Sequence, residues 1–236
     1  MIEIKKSDER FLTRLDWLES YHSFSFGSHY DPKQTNFGPL LVINDDTVQP
    51  AAGFGTHGHS DMEIVTYVLE GVLEHKDSTG GIGLIHAGEV QRMSAGTGIR
   101  HSEYNHSQTE PVHFLQIWFV PNEKNLKAGY EQKQFSIEDR LNGLLPIATG
   151  ESKVDTSGVA VHQDVTMYVS RLESGKTLSH LAEDTRGLYL YVIAGDLTAN
   201  SHAVSRGDSV KVFGKEMLEL TASSDAEFVL FDVPLK

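Results

Sequence analysis

Tyr67-Val-Leu-Glu-Gly71 recurs as Tyr191-Val-Ile-Ala-Gly195, 124 residues further along the chain. Each copy is a β-branched and aromatic run stopped by a glycine, the pattern of a strand that enters a tight turn. Farther on, Ala87-Gly-Glu89 is echoed by Arg206-Gly-Asp208 at nearly the same offset. One such match is common in β proteins, but two in the same order indicate a duplicated β module. Similar runs at residues 64–69, 112–120, 188–193, 218–221 and 228–233, with 21 glycines to turn between them, predict an all-β sandwich or barrel, built twice. The stretch 112–120 is apolar on both faces, which places it inside its module. Helical patterning is scarce. Residues 8–21 set Phe11, Leu15 and Leu18 at helix-like spacing, although Trp17 and the aromatic run after it weaken that reading. Residues 136–143 carry a Ser cap, an acidic first turn and a terminal Gly, and predict one short helix. The polar stretch 122–129 and the Gly/Ser/Thr-rich stretch 149–158 bracket the connection. They imply an N-terminal domain of residues 1–135 and a C-terminal domain of residues 136–236.

The chain has 236 residues, no cysteine and a net charge of −13. The absence of cysteine excludes disulfides, thiolate metal sites, Fe–S clusters and Cys nucleophiles together. Both halves are acidic, so direct binding of nucleic acid is not expected. The start carries no apolar run of signal-peptide type, and no later stretch is long and apolar enough to span a bilayer. A soluble, cytoplasmic protein is the expectation. Of the 12 histidines, nine lie before residue 114.

Two of these form Gly53-Phe-Gly-Thr-His57-Gly-His59-Ser-Asp-Met-Glu63. Residues two apart on a strand share a face, so His57 and His59 can approach one ion together. An imidazole pair suits a transition metal rather than Ca²⁺ or Mg²⁺. The second signal is Ser94-Ala-Gly96-Thr-Gly98-Ile-Arg-His101-Ser-Glu103-Tyr-Asn105, again a His and a Glu two apart beside a Gly-rich turn. Three imidazoles and one carboxylate would hold M²⁺ with positions left open for substrate or O₂. Glu63 is either a further ligand or an acceptor that orients a ligand. His22, His29, His75, His86 and His106 read most simply as solvated or hydrogen-bonded. Phe54, Met62, Phe114 and Trp118 would wall a flat pocket, but each alone reads as core.

The two segments resemble the paired signature motifs of the cupin superfamily. More narrowly, residues 54–71 with 94–105, together with His22-Ser-Phe-Ser-Phe26 and Tyr30-Asp-Pro32, resemble the pirin family over about residues 16–135. The resemblance implies two tandem cupin (double-stranded β-helix, or jelly-roll) barrels with a metal site in the N-terminal one only. It implies His57, His59, His101 and Glu103 as the metal ligands, and leaves Glu63 outside that set. Gly58 stands where pirins commonly have Pro, which loosens the backbone between two ligands. In the second copy the offset carries His57 and His59 onto Leu181 and Glu183, with only His180 nearby and Glu216 and Glu219 downstream. That copy reads as a metal-free barrel with His180 at its surface.

The bacterial members of the family imply a quercetin 2,3-dioxygenase-like oxidoreductase. In that reading a metal, with Glu103 as catalytic base, activates the 3-hydroxyl of a flavonol for reaction with O₂. Fe(II) is the expected metal because the reaction uses O₂, while Zn, Mn, Co, Ni and Cu suit the same donors. The alternative is a metal-binding regulatory protein that modulates a partner protein without catalysis.

Overall fold

The structure, a computed structural model, describes residues 1–150 and 157–235; most of the 149–158 connection therefore lies outside the described residues. Strand β1 (Ile2–Lys5) opens the chain, followed by β2 (Phe11–Arg14), β3 (Leu18–His22), β4 (Leu40–Val48), β5 (Gly53–His59) and β6 (Glu63–Glu70). Then come β7 (Val72–Asp77), β8 (Ile82–His86), β9 (Glu89–Ser94), β10 (Ile99–Asn105), β11 (Val112–Phe119) and β12 (Gly129–Gln134). The C-terminal half holds β13 (Leu145–Gly150), β14 (Val159–Val161), β15 (Thr166–Leu172), β16 (Thr177–Leu181) and β17 (Arg186–Ala194). It ends with β18 (Asp196–Ala199), β19 (His202–Ser205), β20 (Ser209–Phe213), β21 (Met217–Ala222) and β22 (Ala226–Pro234). No α-helix occurs among the described residues. The fold is all-β and comprises two antiparallel jelly-roll modules.

The N-terminal unit, residues 11–134 with 159–163, pairs a sheet in the order β12-β9-β6-β11-β4-β3-β2 with a second in the order β5-β10-β7-β8. Central strand β11 lies between β4 and β6, and Val112, Phe114, Leu115, Ile117 and Phe119 are buried. Its apolar character on both faces is thus packing. The other unit comprises residues 1–10, 135–158 and 164–236, with β17 between β20 and β22 and a smaller sheet β16-β21-β18-β19. Sixteen buried residues, from Leu172 to Leu230, form its core cluster. A division at residue 135 therefore separates two segments from the units they pack in. Residues 2–5 pair with β20, and Ala160 N–H donates to Glu131 Oε2 at 2.9 Å.

The duplicated pattern marks equivalent turns. Gly71 and Gly195 follow β6 and β17 with φ of +79° and +75°, and a Cβ at either would fall within 3 Å of a backbone oxygen of the segment leading into the neighbouring strand, Pro111 before β11 or Asp225 before β22. Only glycine meets both conditions. Glu89 accepts the His86 N–H at 2.7 Å, and Asp208 accepts the Ser205 N–H at 3.0 Å in the other module.

Two helical expectations are corrected. Residues 11–22 form the hairpin β2–β3, because Leu18, Ser20 and His22 alternate inward where a helix would need a stripe at every third or fourth position. At 136–143 the cap exists, with Asp139 N–H donating to Ser136 Oγ at 3.1 Å, but it starts only the 3₁₀ turn Glu138–Arg140. Eight residues cannot repay helix nucleation without a packed apolar face.

Candidate metal centre

Strand pairing brings the two histidine segments together. His57 on β5 lies opposite His101 on β10, which in turn lies opposite Asp77 on β7. Between His101 and Glu103 the β5–β10 register shifts, so that Phe54 rather than Gly55 opposes Glu103. This bulge re-aims the side chains beside it. Gly53 permits the closeness of the strands, since a Cβ there would sit 2.3 Å from the Glu103 carbonyl oxygen.

The donor atoms of His57, His59 and His101 all lie within 4.8 Å of one another. His57 and His101 face each other with their Nε2 atoms 3.0 Å apart. Nδ1 of His57 is 2.9 Å from the Gly55 carbonyl oxygen; an N–H there donates to it and leaves the lone pair on Nε2. Burial, helped by the neighbouring His57, pushes His59 down to about 4; burial with His57, His59 and His75 nearby pushes His101 down to about 3. Both imidazoles are therefore neutral near pH 7 and able to ligate. Three converging lone pairs of this kind fit a divalent transition metal.

Glu103 belongs to a second, overlapping group, with donor atoms of His75, His101 and Glu103 also within 4.8 Å. Its Oε2 accepts from Gln116 Nε2 at 2.9 Å, and Oε1 lies 3.5 Å from Thr66 Oγ1. Burial pushes this carboxyl up to about 7 against those hydrogen bonds, so a cation held by the imidazoles would favour its ionised form. Glu63 is buried elsewhere. Its Oε2 accepts from Ser94 Oγ at 3.0 Å and from the His162 N–H at 3.2 Å, and it is outside both donor groups.

His57, His59 and Glu103 line a cavity of about 570 Å³ in the N-terminal unit, with Phe54 and Trp118 among its walls. The indole of Trp118 packs edge-on against His59 at 4.9 Å. Met62 and Phe114 belong to core clusters instead.

Of the remaining histidines, His86 is exposed, His29 stacks on Phe11, and His106 pairs with Glu74 at 3.1 Å. His22 and His75 are not solvated: each is buried, His22 lines the cavity, and His75 packs against His101. A lone histidine in a strand gives no sign of this, because the neighbour that gives it a role lies on another strand.

The family model Pirin matches residues 5–119, and a second model, the quercetinase C-terminal cupin domain, matches residues 147–233. The chain is 42% identical to quercetin 2,3-dioxygenase of Escherichia coli K12 over 99% of both chains. The chain belongs to the pirin family. Another pirin-like protein, from Caulobacter vibrioides, is 37% identical over 98% of this chain and 99% of its own. Among solved structures, the bacterial pirin YhhW of Escherichia coli in complex with nickel(II) superposes with a TM-score of 0.93 at 40% identity, covering 99% of both chains. Pirins of this kind thus include proteins named as quercetin dioxygenases and one solved with a metal. Both matched modules are cupins, as the sequence led us to expect.

Proposed function

We propose that this pirin is a metal-dependent quercetin 2,3-dioxygenase-like enzyme, with the metal held by His57, His59, His101 and Glu103. The observation that carries the reading is a buried carboxyl grouped with His101, one of three converging imidazoles, on the wall of a cavity large enough for a flat tricyclic substrate. Full-length likeness to proteins named quercetin 2,3-dioxygenase supports the substrate class.

A bound divalent metal, Fe(II) in our reading, supplies the positive charge that acidifies the flavonol 3-hydroxyl and makes the ring electron-rich toward O₂. Glu103 receives the hydroxyl proton on a carboxylate oxygen. Gln116, donating to Oε2, fixes the carboxylate plane for that transfer. His57 is held in its ligating tautomer by the Gly55 carbonyl. Phe54 and Trp118 pack against the aromatic faces and exclude water. Both atoms of O₂ enter the ring-opened ester, and the ring carbon that bore the hydroxyl leaves with its oxygen as carbon monoxide.

Metal-reconstituted protein mixed with quercetin should lose the flavonol absorbance and release carbon monoxide in step. Glu103→Gln should lower kcat by about 10²–10⁴-fold while the protein stays folded. His57→Ala should abolish metal loading and turnover together. Fully loaded protein that turns over no flavonol would overturn the assignment.

A further inference from the structure

Opposite the metal centre, the cavity has a second polar wall that the chemistry above leaves unused. Thr13, Ser20, His22, Asn44 and Asp46 line it from strands β2, β3 and β4. Register makes it continuous: Gln116 lies opposite Asn44, Asn44 opposite His22, and the next inward row sets Asp46 opposite Ser20 and Ser20 opposite Thr13. With strands about 4.8 Å apart, Asn44 lies one spacing and His22 two from the residue that orients Glu103, with Asp46 and Ser20 two residues farther along the same strands. The hydroxyls on the outer ring of a flavonol lie at about that remove from its 3-oxygen.

Asn44 and Asp46 are 4% and 3% exposed, and each is held by a neighbour. Ser20 Oγ donates to Asp46 Oδ1, and His22 Nδ1 is 2.8 Å from Asn44 Oδ1. The His22 ring is fixed in turn by Thr13 Oγ1 at 2.9 Å from Nε2 and by Phe26 stacked at 5.2 Å. Among the described residues, Asp46 Oδ2 and Asn44 Nδ2 have no protein partner. Burial pushes the Asp46 carboxyl up to about 8; the Ser20 hydrogen bond opposes this, and the nearby charges of Asp45 and Glu103 add to it. Burial thus favours the neutral acid, whose Oδ2–H and the amide Nδ2 of Asn44 give the wall two hydrogen-bond donor atoms. Buried donors without a partner are costly, and they reward a ligand that accepts from them.

We propose that Asp46 and Asn44, braced by Ser20 and His22, form a subsite for the outer-ring hydroxyl oxygens, so that the protein selects polyhydroxylated aromatic substrates over unsubstituted ones. This rests on the flavonol reading above and adds its specificity element.

The test is equilibrium binding, without O₂, of two flavonols that differ only in outer-ring hydroxyls, to metal-loaded protein. Wild type should bind the hydroxylated member at least about tenfold more tightly, because a site built to hydrogen-bond a hydroxyl discriminates against its absence. Asp46→Leu and Asn44→Ala should each drive the ratio of the two Kd values toward one, whereas Asp46→Asn, which keeps a donor, should retain most of it. Metal content and thermal melting establish that each variant is folded; if Asp46→Leu is not, Asn44→Ala and Ser20→Ala carry the test. Equal binding of both flavonols by wild type overturns the subsite and leaves the proposed activity standing. An unchanged ratio in the folded variants also overturns it. Binding of neither flavonol by the loaded protein overturns both readings.

Discussion

The Nδ1 atoms of His75 and His101 are both buried without a hydrogen-bond partner among the described residues, and their rings are 5.3 Å apart. Nε2 of His75 lies 3.1 Å from Asp77 Oδ2. Burial holds His75 below its usual value despite that carboxylate, so the ring is neutral, donates Nε2–H to Asp77 and keeps a lone pair on Nδ1. His101 with Nε2 free for a metal carries its proton on Nδ1. A donor and an acceptor thus lie on adjacent strands, and a hydrogen bond between them would link Asp77 to the proposed ligand His101. Outer partners of this kind commonly add tenfold or more to metal affinity. His75→Phe, which keeps the ring volume, should weaken metal binding by roughly tenfold in a chelator competition. Unchanged affinity would reduce His75 to packing. The sequence shows His57, His59, His101 and Glu103 because each pair is local, two residues apart on one strand. His75, Asp46 and Asn44 acquire their surroundings from cross-strand register, which no local pattern encodes.

At the scale of the element, β5 carries His57 and His59, two of the proposed ligands, on a strand with glycines at 53, 55 and 58. Gly53 is held by packing against β10, but Gly58 is not: a Cβ there would meet its nearest atom, the Ile99 carbonyl oxygen, at an ordinary 3.7 Å. Gly58→Ala should therefore be accommodated and should stabilise the protein by about 0.4–1 kcal/mol through the unfolded chain. Paired thermal melts of the metal-free proteins measure this, and a lower melting temperature would show that β5 needs the freedom of glycine. The strands were legible where β-branched and aromatic runs met a turn glycine, as in β6 and β17, or ran on as continuous apolar stretches, as in β11 and β22. The hairpin β2–β3 was less so. Its Phe11, Leu15 and Leu18 spacing fits a helix, and pairing of β3 with β4 overrides it.

Across the whole molecule, the described residues gather metal-type donors in the N-terminal unit. The other unit spends its polar core on ion pairs. His180 is partly exposed, as a surface residue would be, but it is engaged: its Nε2 is 2.9 Å from Asp232 Oδ2, and Arg186 donates to Asp232 and, at 2.7 Å, to Asp164. Burial alone would raise the Asp232 carboxyl; hydrogen bonds from His180 and Arg186 overcome this and hold it below its usual value. The stability that follows is complete above about pH 4, the unfolded value, and is lost as pH falls through the lower folded one. Arg186→Met should cost about 3–5 kcal/mol at pH 7, with the difference from wild type shrinking at pH 3, and leave metal stoichiometry at one per chain. Urea titrations at both pH values and metal analysis read the two effects separately. A different consequence follows from strand β1. Ile2 and Ile4 pair opposite Val212 and Val210, so a nascent chain makes its first strand some two hundred residues before the partner exists. At about 5–20 residues per second that strand waits roughly 10–40 seconds on the ribosome, long enough for the N-terminal barrel to close first. Translation thereby sets an order of assembly in which β1, made before every strand of the N-terminal unit, docks only after that unit is complete.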